Sequence, residues 1–236
     1  MALMRLDKFL SDQGVASRKE LRSVIRHGRV SVDGTATVKP ETKIDSEKNK
    51  VYLDGTLVSY SKYRYFMLHK PCGVVTATED KKQDTVLELL SPEMRRMDLF
   101  PVGRLDKDTS GLLLLTNDGD FAHRVISPKF SVEKRYYAEV EGKLTEEDEK
   151  AFKKGIELRD GLKCRPAQLI RLGGSRCQVV LTEGKYHQVR RMLASLGKPV
   201  VVLKRLSIGS LELDENLAEG GYRELTEDDL CKVFSR

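Results

Sequence analysis

Apolar residues recur at helical spacing twice near the start of the chain, at Leu6, Phe9 and Leu10 and again at Leu21, Val24 and Ile25. Ser17 precedes the second repeat and is a residue type that caps helices. Two alternating segments follow, Val30-Ser31-Val32 and Val51-Tyr52-Leu53, and each runs into an Asp-Gly pair typical of a hairpin turn. The pattern predicts a small unit of two short helices and short strands.

A polar stretch at residues 59–64 separates this unit from a longer region in which strand and helix signals mix. Strands are predicted where apolar runs are bounded by turn residues: Tyr65–Leu68, Leu112–Thr116, Arg135–Val140, Cys177–Thr182 and Val200–Leu203. Helices are predicted at Glu146–Lys154, at Gln188–Leu196 and after a capping box of Thr226 and Asp229. We expect one domain over residues 1–60, a linker near 59–64 and a second domain over 65–236. Because strands and helices do not alternate regularly, the predicted class is α+β.

The composition is that of a globular protein. Of 236 residues, 39% are hydrophobic and 33% are charged, which is enough for a packed core under a charged surface. No apolar run approaches the roughly 20 residues that cross a bilayer, and no charged-then-apolar leader opens the chain. The four cysteines lie far apart without a CxxC pair, which argues against a disulfide framework and a structural zinc site. We expect a soluble, monomeric protein of the cytoplasm with no membrane partner.

Positive charge is concentrated at the start of the chain. Residues 1–64 hold thirteen Lys and Arg against eight Asp and Glu, whereas the rest of the chain is nearly balanced within its net charge of +6. The second predicted helix and the turn after it carry one basic face, made of Arg18, Lys19, Arg22, Arg26 and Arg29. Such a face favours phosphate binding, and therefore a nucleic acid, although a solvated surface would have the same charge balance.

The densest group of polar side chains lies at residues 103–111, Gly-Arg-Leu-Asp-Lys-Asp-Thr-Ser-Gly, directly before four leucines. A polar loop at the edge of a buried strand is suited to present a carboxylate to a ligand. The alternative is a turn in which Asp and Ser cap backbone amides. Asp106 and Asp108 also form a D-x-D pair that could hold magnesium, but no Gly-rich phosphate loop or further acidic cluster accompanies it, and we predict no metal site.

Two further segments contain residues suited to chemistry. In Glu183-Gly184-Lys185-Tyr186-His187-Gln188-Val189-Arg190-Arg191-Met192-Leu193, cations stand where a helix begins, an unfavourable place for them unless they contact phosphates, an acidic partner or solvent. We interpret His187 as a hydrogen-bonded structural histidine. In the predicted strand around Tyr136 and Tyr137, the two rings should point to opposite faces, so one of them could face a cleft. A core tyrosine with its hydroxyl at the surface is the alternative.

These segments together resemble the RsuA-type pseudouridine synthases. The resemblance comes from Lys70-Pro71-Cys72-Gly73, from Gly103-Arg104-Leu105-Asp106 with Thr109-Ser110-Gly111-Leu112-Leu113, from Lys134-x-Tyr136 and from residues 183–192. Arg5-Leu6-Asp7-Lys8-Phe9-Leu10, Ser17-Arg18 and Gly28-Arg29-Val30-x-Val32-Asp33-Gly34 resemble the S4-type RNA-binding domain of that family. All segments stand in the family's order, and they cover almost the whole chain.

The resemblance implies an S4-type domain followed by a catalytic domain with a mixed, mainly antiparallel sheet, and an activity that isomerises uridine to pseudouridine in RNA. Asp106 matches the catalytic aspartate, Arg190 the basic residue that pairs with this aspartate, and Tyr136 the tyrosine that stacks on uracil. Further matches to the substrate pocket are Arg104, Leu193, Lys185 and Lys70, with Leu193 closing the pocket and Lys185 contacting the backbone. The expected RNA-binding residues of the first domain are Arg5, Arg18, Lys19, Arg22, Arg26 and Arg29.

The expected partner is ribosomal RNA or an assembling ribosomal subunit, because the resemblance is to enzymes of that kind. The chain ends soon after the capping box, without the long basic extension of some relatives that act on large-subunit RNA, which favours small-subunit 16S RNA. The chemistry implied by the resemblance needs no cofactor and no metal. The alternatives are a 23S RNA synthase and a non-catalytic RNA-binding assembly factor.

Overall fold

The computed structural model describes residues 3–235, which fold into two compact units. The first unit contains the chain up to Arg64 together with a later segment, Leu90–Leu99. The second unit contains Tyr65–Leu89 and the chain from Phe100 onward. No helix within residues 3–235 combines the length and the apolar character needed to cross a membrane.

The first unit is built as its apolar pattern predicts. Its elements, in chain order, are β1 Met4–Arg5, α1 Leu6–Asp12, α2 Arg18–Arg26, β2 Val30–Val32, β3 Thr35–Ala36, β4 Lys43–Ile44, β5 Val51–Leu53 and β6 Thr56–Val58. Strands β3, β2, β5 and β6 form an antiparallel sheet in that order, and β1 pairs with β4. Ser17 caps α2 in a complete capping box with Glu20. The apolar repeats of both helices are buried together in one core.

A buried carboxylate ties the two helices of this unit together. Asp7 is fully buried and accepts bonds from Arg5 at 2.9 and 3.0 Å and from Arg18 at 3.3 Å. Burial alone would raise the pKa of Asp7, but the hydrogen bonds and the attraction of both arginines outweigh it and hold the pKa below its ordinary value. Arg5 and Arg18, whose side chains are partly exposed, are therefore engaged in ion pairs with Asp7.

The segment expected as a linker packs on the first unit. Tyr60 stacks on Phe9 with ring centroids 5.5 Å apart, and the backbone N–H of Ser61 donates to Gln13 at 3.1 Å. Leu90–Leu99 joins the same unit and contains the short helix α3, Pro92–Arg95. A Cβ atom on Gly14 would lie 2.5 Å from the methyl carbon of Met97, so this segment packs directly on the turn between α1 and α2.

The second unit is organised around one nine-stranded sheet. Its strands are β7 Tyr65–Lys70, β8 Phe100–Pro101, β9 Ser110–Thr116, β10 Lys134–Val140, β11 Gln168–Gly173, β12 Arg176–Leu181, β13 Val200–Ile208, β14 Leu211–Glu212 and β15 Tyr222–Glu224. The main order is β11-β12-β10-β13-β9-β7-β15, with β14 added to β13 and β8 to β9. All of these pairs are antiparallel except β9 with β13. The expected α+β class with a mainly antiparallel sheet is confirmed.

Four helices cover this sheet: α4 Gly119–Ile126, α5 Glu146–Lys154, α6 Gln188–Ser195 and α7 Glu227–Val233. One core lies between α5, α6 and the strands β10 to β12, and another between α4, α7 and the strands β7 and β9. The predicted capping box of Thr226 and Asp229 begins α7. Asp118 caps α4 through bonds from the N–H groups of Asp120 and Phe121.

The parallel contact between β9 and β13 depends on a glycine. Gly111 has φ +107°, and a Cβ atom there would lie 2.2 Å from the carbonyl oxygen of Arg205 and 2.6 Å from its nitrogen. Real side-chain carbons do not come this close to backbone atoms. Only glycine combines the required conformation with the required space, so the two halves of the sheet meet closely at this position.

We predict that Gly111→Ala lowers the free energy of unfolding by about 3 kcal/mol or more, because the methyl group forces β9 and β13 apart. The matched control is Gly119→Ala, at the first residue of α4, where a Cβ atom meets nothing within 4 Å. Its expected change is within about 1 kcal/mol. Urea unfolding of both variants tests this, and equal stabilities would contradict the role given to Gly111.

Candidate active site

A cavity of about 880 Å³ opens in the second unit between the sheet, the loop before β9 and the turn before α6. This volume is within the roughly 300–1,000 Å³ of small-molecule sites. The floor is one face of the sheet, formed by Lys134, Tyr136, Leu181, Leu203, Arg205 and Ile208. Of the residues predicted for the substrate site, Asp106, Tyr136, Arg104 and Lys185 line this cavity.

Asp106 stands in the loop between β8 and β9, and the loop is fixed from beneath by Lys70. The Lys70 ammonium is fully buried and donates to the carbonyl oxygens of Pro71, Asp106 and Thr109 at 3.0, 3.1 and 2.9 Å. Burial lowers the pKa of Lys70, while the neighbouring carboxylates of Asp106 and Asp108 act in the opposite direction. The predicted pocket residue Lys70 does not line the cavity and instead holds the shape of the Asp106 loop.

His187 is the side chain that approaches the Asp106 carboxylate. Its Nε2 lies 3.4 Å from Asp106 Oδ1, and its ring stacks on Tyr186 with centroids 3.9 Å apart. His187 has a left-handed backbone with φ 49°, directly before α6 begins. The sequence interpretation of His187 as structural missed this position. Its unusual backbone conformation depends on how the turn packs, and no local sequence signal marks it.

Arg190 does not pair with Asp106 as the resemblance implied. Its guanidinium lies 3.0 Å from the Asp108 carboxylate and donates to the carbonyl oxygens of Asp108 at 2.9 Å and Val200 at 3.2 Å. These acceptors engage both Nη atoms of Arg190, whereas its buried Nε has no hydrogen-bond partner among residues 3–235. Asp106 and Asp108 therefore have different partners, and their carboxylates are not arranged as a pair.

The two adjacent tyrosines point to opposite faces of β10, as expected. Tyr136 lines the cavity and pairs across the sheet with Val179 on one side and Arg205 on the other. The hydroxyl of Tyr137 instead donates to Glu139, and this bond raises the pKa of Tyr137. Tyr136 is thus the ring available to a bound base.

The turn before α6 is shaped by a buried network. Glu183 is 4% exposed and accepts bonds from Gln188 at 2.6 Å and from the backbone N–H of Arg165 at 2.9 Å. Lys185 stands on this turn, donates to the carbonyl oxygen of Lys163 and lies 3.5 Å from Glu183. Together with the exposed Arg104, it places positive charge along the cavity wall.

Leu193 does not close the cavity as expected. It is fully buried and packs in the core of β10 to β12 together with Val189 and Met192. These three positions lie on one face of α6, at the spacing typical of a helix stripe that faces a core. The match to the family motif placed Leu193 on the correct helix, but the packing of α6 turns it toward the core.

Two buried cations on the cavity floor carry more charge into the site than the sequence indicated. Lys134 is 8% exposed and donates to the carbonyl oxygens of Val125 and Val132 at 2.9 and 2.8 Å. Burial, with a smaller effect of Arg205, lowers the pKa of Lys134 to about 8. Arg205 is 4% exposed. Lys134 belongs to the Lys134-x-Tyr136 motif and shares the face of Tyr136 on β10, whereas no motif signals Arg205.

The expected RNA-binding cations of the first unit divide into two groups. Arg5 and Arg18 pair with Asp7, and Arg29 pairs with Asp54 through a bond of 2.9 Å from its Nε. Lys19, Arg22 and Arg26 are exposed on α2, and no carboxylate among residues 3–235 lies within 4 Å of them. These three cations are the ones available to phosphates without breaking an ion pair.

No group of three or more His, Cys, Asp or Glu side chains within residues 3–235 is arranged to hold a metal ion. The cavity offers the Asp106 carboxylate at its wall, the buried carboxylate of Glu183 in the turn before α6, an aromatic ring on its floor and several positive charges. A carboxylate can stabilise or attack an electron-poor carbon, while the ring can stack on a flat base.

Known protein families match both parts of this chain. The family model described as RNA pseudouridylate synthase matches residues 64–195, and the S4 domain model matches residues 4–49. An uncharacterized RNA pseudouridine synthase of Bacillus subtilis, YtzG, is 46% identical over 96% of this chain and 97% of its own length. The ribosomal small subunit pseudouridine synthase A of Escherichia coli is 39% identical, covering 98% of this chain and 100% of that protein.

A solved structure agrees over the same length. The crystal structure of a pseudouridylate synthase matches with a TM-score of 0.69 and 36% identity, covering 98% of this chain and 99% of that one. The match extends over both the S4 domain and the unit that carries the cavity. The chain therefore belongs to the RNA pseudouridylate synthase family, as a pseudouridine synthase with an N-terminal S4 domain.

Proposed function

We propose that this protein isomerises a specific uridine of small-subunit 16S ribosomal RNA to pseudouridine, with Asp106 as the catalytic carboxylate and without a cofactor. The position of Asp106 on the wall of the cavity, with Tyr136 on its floor, carries the proposal. The name of the relatives from Vibrio cholerae and Escherichia coli, ribosomal small subunit pseudouridine synthase A, at 41% and 39% identity, supports the choice of RNA. The setting is the cytoplasm, on ribosomal RNA or an assembling subunit.

The reaction rearranges bonds within one nucleotide. The bond between N1 of uracil and C1′ of ribose breaks, the base turns, and C5 bonds to C1′. The hydrogen of C5 leaves as a proton, and N1 gains one, so no electrons are exchanged with another molecule. Asp106 serves either by stabilising or attacking the sugar carbon or by attacking the base, and Tyr136 is placed to stack on the ring and to take part in proton transfer.

The remaining predicted residues are proposed to act around this centre. Arg104 and Lys185 contact the substrate near the cavity wall, and Arg190 with Lys70 positions the loop of Asp106. A base must leave its stack to reach Asp106, at a cost of a few kcal/mol. Phosphate contacts by Lys19, Arg22 and Arg26 offset part of this cost.

The proposal predicts that Asp106→Asn lowers tritium release from RNA labelled at uracil C5 by about a thousand-fold or more. The amide has nearly the shape of the carboxylate but lacks its charge, so RNA affinity should stay within about three-fold. The assay contains EDTA and compares 16S RNA, 23S RNA and partly assembled subunits as substrates.

The matched control is Asp108→Asn, which removes the neighbouring carboxylate. We expect it to retain at least about a tenth of the activity, because Asp108 contacts Arg190 and does not line the cavity. Equal loss in both variants, or turnover that stops in EDTA, would favour a magnesium site. Release only from 23S RNA would change the substrate, and no release by the wild type would favour a binding factor.

A second prediction concerns the first unit. Reversing the charge of both Arg22 and Arg26 to Glu should weaken RNA binding and reduce the slope of log affinity against log salt by about 2, since each phosphate contact releases counterions. The control reverses Lys153 and Lys154, which are exposed on α5 and change the net charge equally. If both double variants show the same slope, α2 does not contact the RNA backbone.

A further inference from the structure

Arg205 is a buried cation of the cavity whose hydrogen-bonding capacity is only partly used. It lies on β13 at 4% exposure, and its Nε donates to the carbonyl oxygen of Leu112 at 2.7 Å. Its Nη2 is buried and has no hydrogen-bond partner among residues 3–235. No carboxylate of the described residues forms an ion pair with it either; Asp106 faces His187, and Glu183 accepts from Gln188.

A buried guanidinium with an unpaired donor is unfavourable, because the group has lost water without gaining an acceptor. The neighbouring cation increases this cost. Lys134 lies on the same cavity floor, but its donors are used by the carbonyl oxygens of Val125 and Val132. Strain of this kind inside a cavity indicates an acceptor that arrives with a ligand.

The sheet places this donor beside the ring that is available to a base. Tyr136 on β10 and Arg205 on β13 are directly paired, and both line the cavity. Directly opposed residues of an antiparallel pair have their side chains on the same face, about 5 Å apart at Cβ. A flat base stacked on Tyr136 therefore presents its edge toward Arg205.

A uridine nucleotide carries two types of hydrogen-bond acceptor, the phosphate oxygens and the carbonyl oxygens of the base, and different parts of the cavity suit them. A phosphate is charged and strongly hydrated, and exposed cations such as Arg104 at the cavity wall suit it. Arg205 is buried on the cavity floor with Leu203 and Ile208, where a neutral carbonyl oxygen loses less by leaving water than a charged phosphate does. Uracil has two such oxygens at its edge, O2 and O4.

We propose that Arg205 Nη2 donates a hydrogen bond to a carbonyl oxygen of the target uracil and so selects and orients the base. This inference rests on the proposed function, since it assumes that uridine occupies the cavity. Thr109, whose buried hydroxyl also has no partner within residues 3–235 and which lines the same cavity, stands on the opposite side of the Gly111 junction from Arg205. The fixed backbone at this junction holds Arg205 in place before the base enters.

The test measures binding of uridine, uridine monophosphate and their 2-thio and 4-thio analogues to the full-length wild type and to Arg205→Met. We expect Arg205→Met to bind uridine about tenfold more weakly than the wild type, the loss for one hydrogen bond from a charged donor. Sulfur is a poor acceptor, so one thio analogue should bind the wild type more weakly while Arg205→Met does not distinguish it from uridine. That analogue identifies which oxygen is contacted.

The matched control is Lys204→Met, one residue earlier on β13, which pairs with Tyr137 and does not line the cavity. It should bind uridine like the wild type. Arg205→Lys keeps a buried cation and should recover part of the affinity, which keeps the test decisive if Arg205→Met fails to fold. Melting temperatures are measured for all variants, because a purely structural role would change stability and leave the thio discrimination intact.

Several outcomes overturn the inference. If Arg205→Met binds uridine as tightly as the wild type does, Arg205 makes no hydrogen bond to the base. If a thio analogue loses the same affinity in the wild type and in the variant, the oxygen that it replaces is bound by another residue. A loss seen with uridine monophosphate but not with uridine would assign Arg205 to the phosphate. Tritium release by the wild type is measured separately, so failure of the proposed function is recognised by absent release and failure of this inference by unchanged uridine binding.

Discussion

The close approach of β9 and β13 at Gly111 determines the geometry of the whole site. It is the only parallel contact of the large sheet within residues 3–235, and it joins the strands β7, β9 and β15 to the strands β10 to β13. The Asp106 loop enters β9 just before this contact, and β13 pairs with β10, which carries Tyr136. Asp106 and Tyr136 therefore line the same cavity because the two halves of the sheet are joined at Gly111. A side chain at Gly111 would not fit between the strands.

Buried positive charge is the second feature of the site. Its three groups, Lys70, Lys134 and Arg205, differ in how fully the protein provides hydrogen-bond acceptors for them. Lys70 has four carbonyl oxygens as acceptors and Lys134 has two, so the protein itself compensates their burial. These ammonium groups stabilise loop and strand connections that would otherwise have unpaired carbonyls. Arg205 is compensated only in part. Lys134 and Arg205 thus place fixed positive charge on the cavity floor, and Lys70 does so beneath the Asp106 loop.

The sequence predicted what local patterns encode. The helices around Leu6 and Leu21, the strand of four leucines, the opposite orientation of Tyr136 and Tyr137 and the caps at Ser17 and Thr226 all follow from spacing and residue type, and the structure agrees with each. The family resemblance assigned Asp106 and Tyr136 to one site, and both side chains line the same cavity.

Local patterns do not predict side-chain contacts between segments that are far apart in the sequence. The pairing of Arg190 with Asp108, the position of His187 beside Asp106 and the burial of Leu193 depend on how α6 packs against the loop before β9. Arg205 was not singled out, because its surroundings come from four strands that are far apart in the chain. Motif matching found the segments of the site, whereas side-chain partners required the packed structure.

The segment Leu90–Leu99 limits where this chain could be cut into fragments that each hold one unit. It packs in the first unit, although the residues on both sides of it belong to the second, so the backbone passes from one unit to the other three times. Neither unit is a continuous stretch of sequence. A fragment cut at residue 64 would separate the turn at Gly14 from the buried side chain of Met97 and the backbone of Glu93, which pack against it. No single cut in the chain therefore separates the two units without dividing one of them.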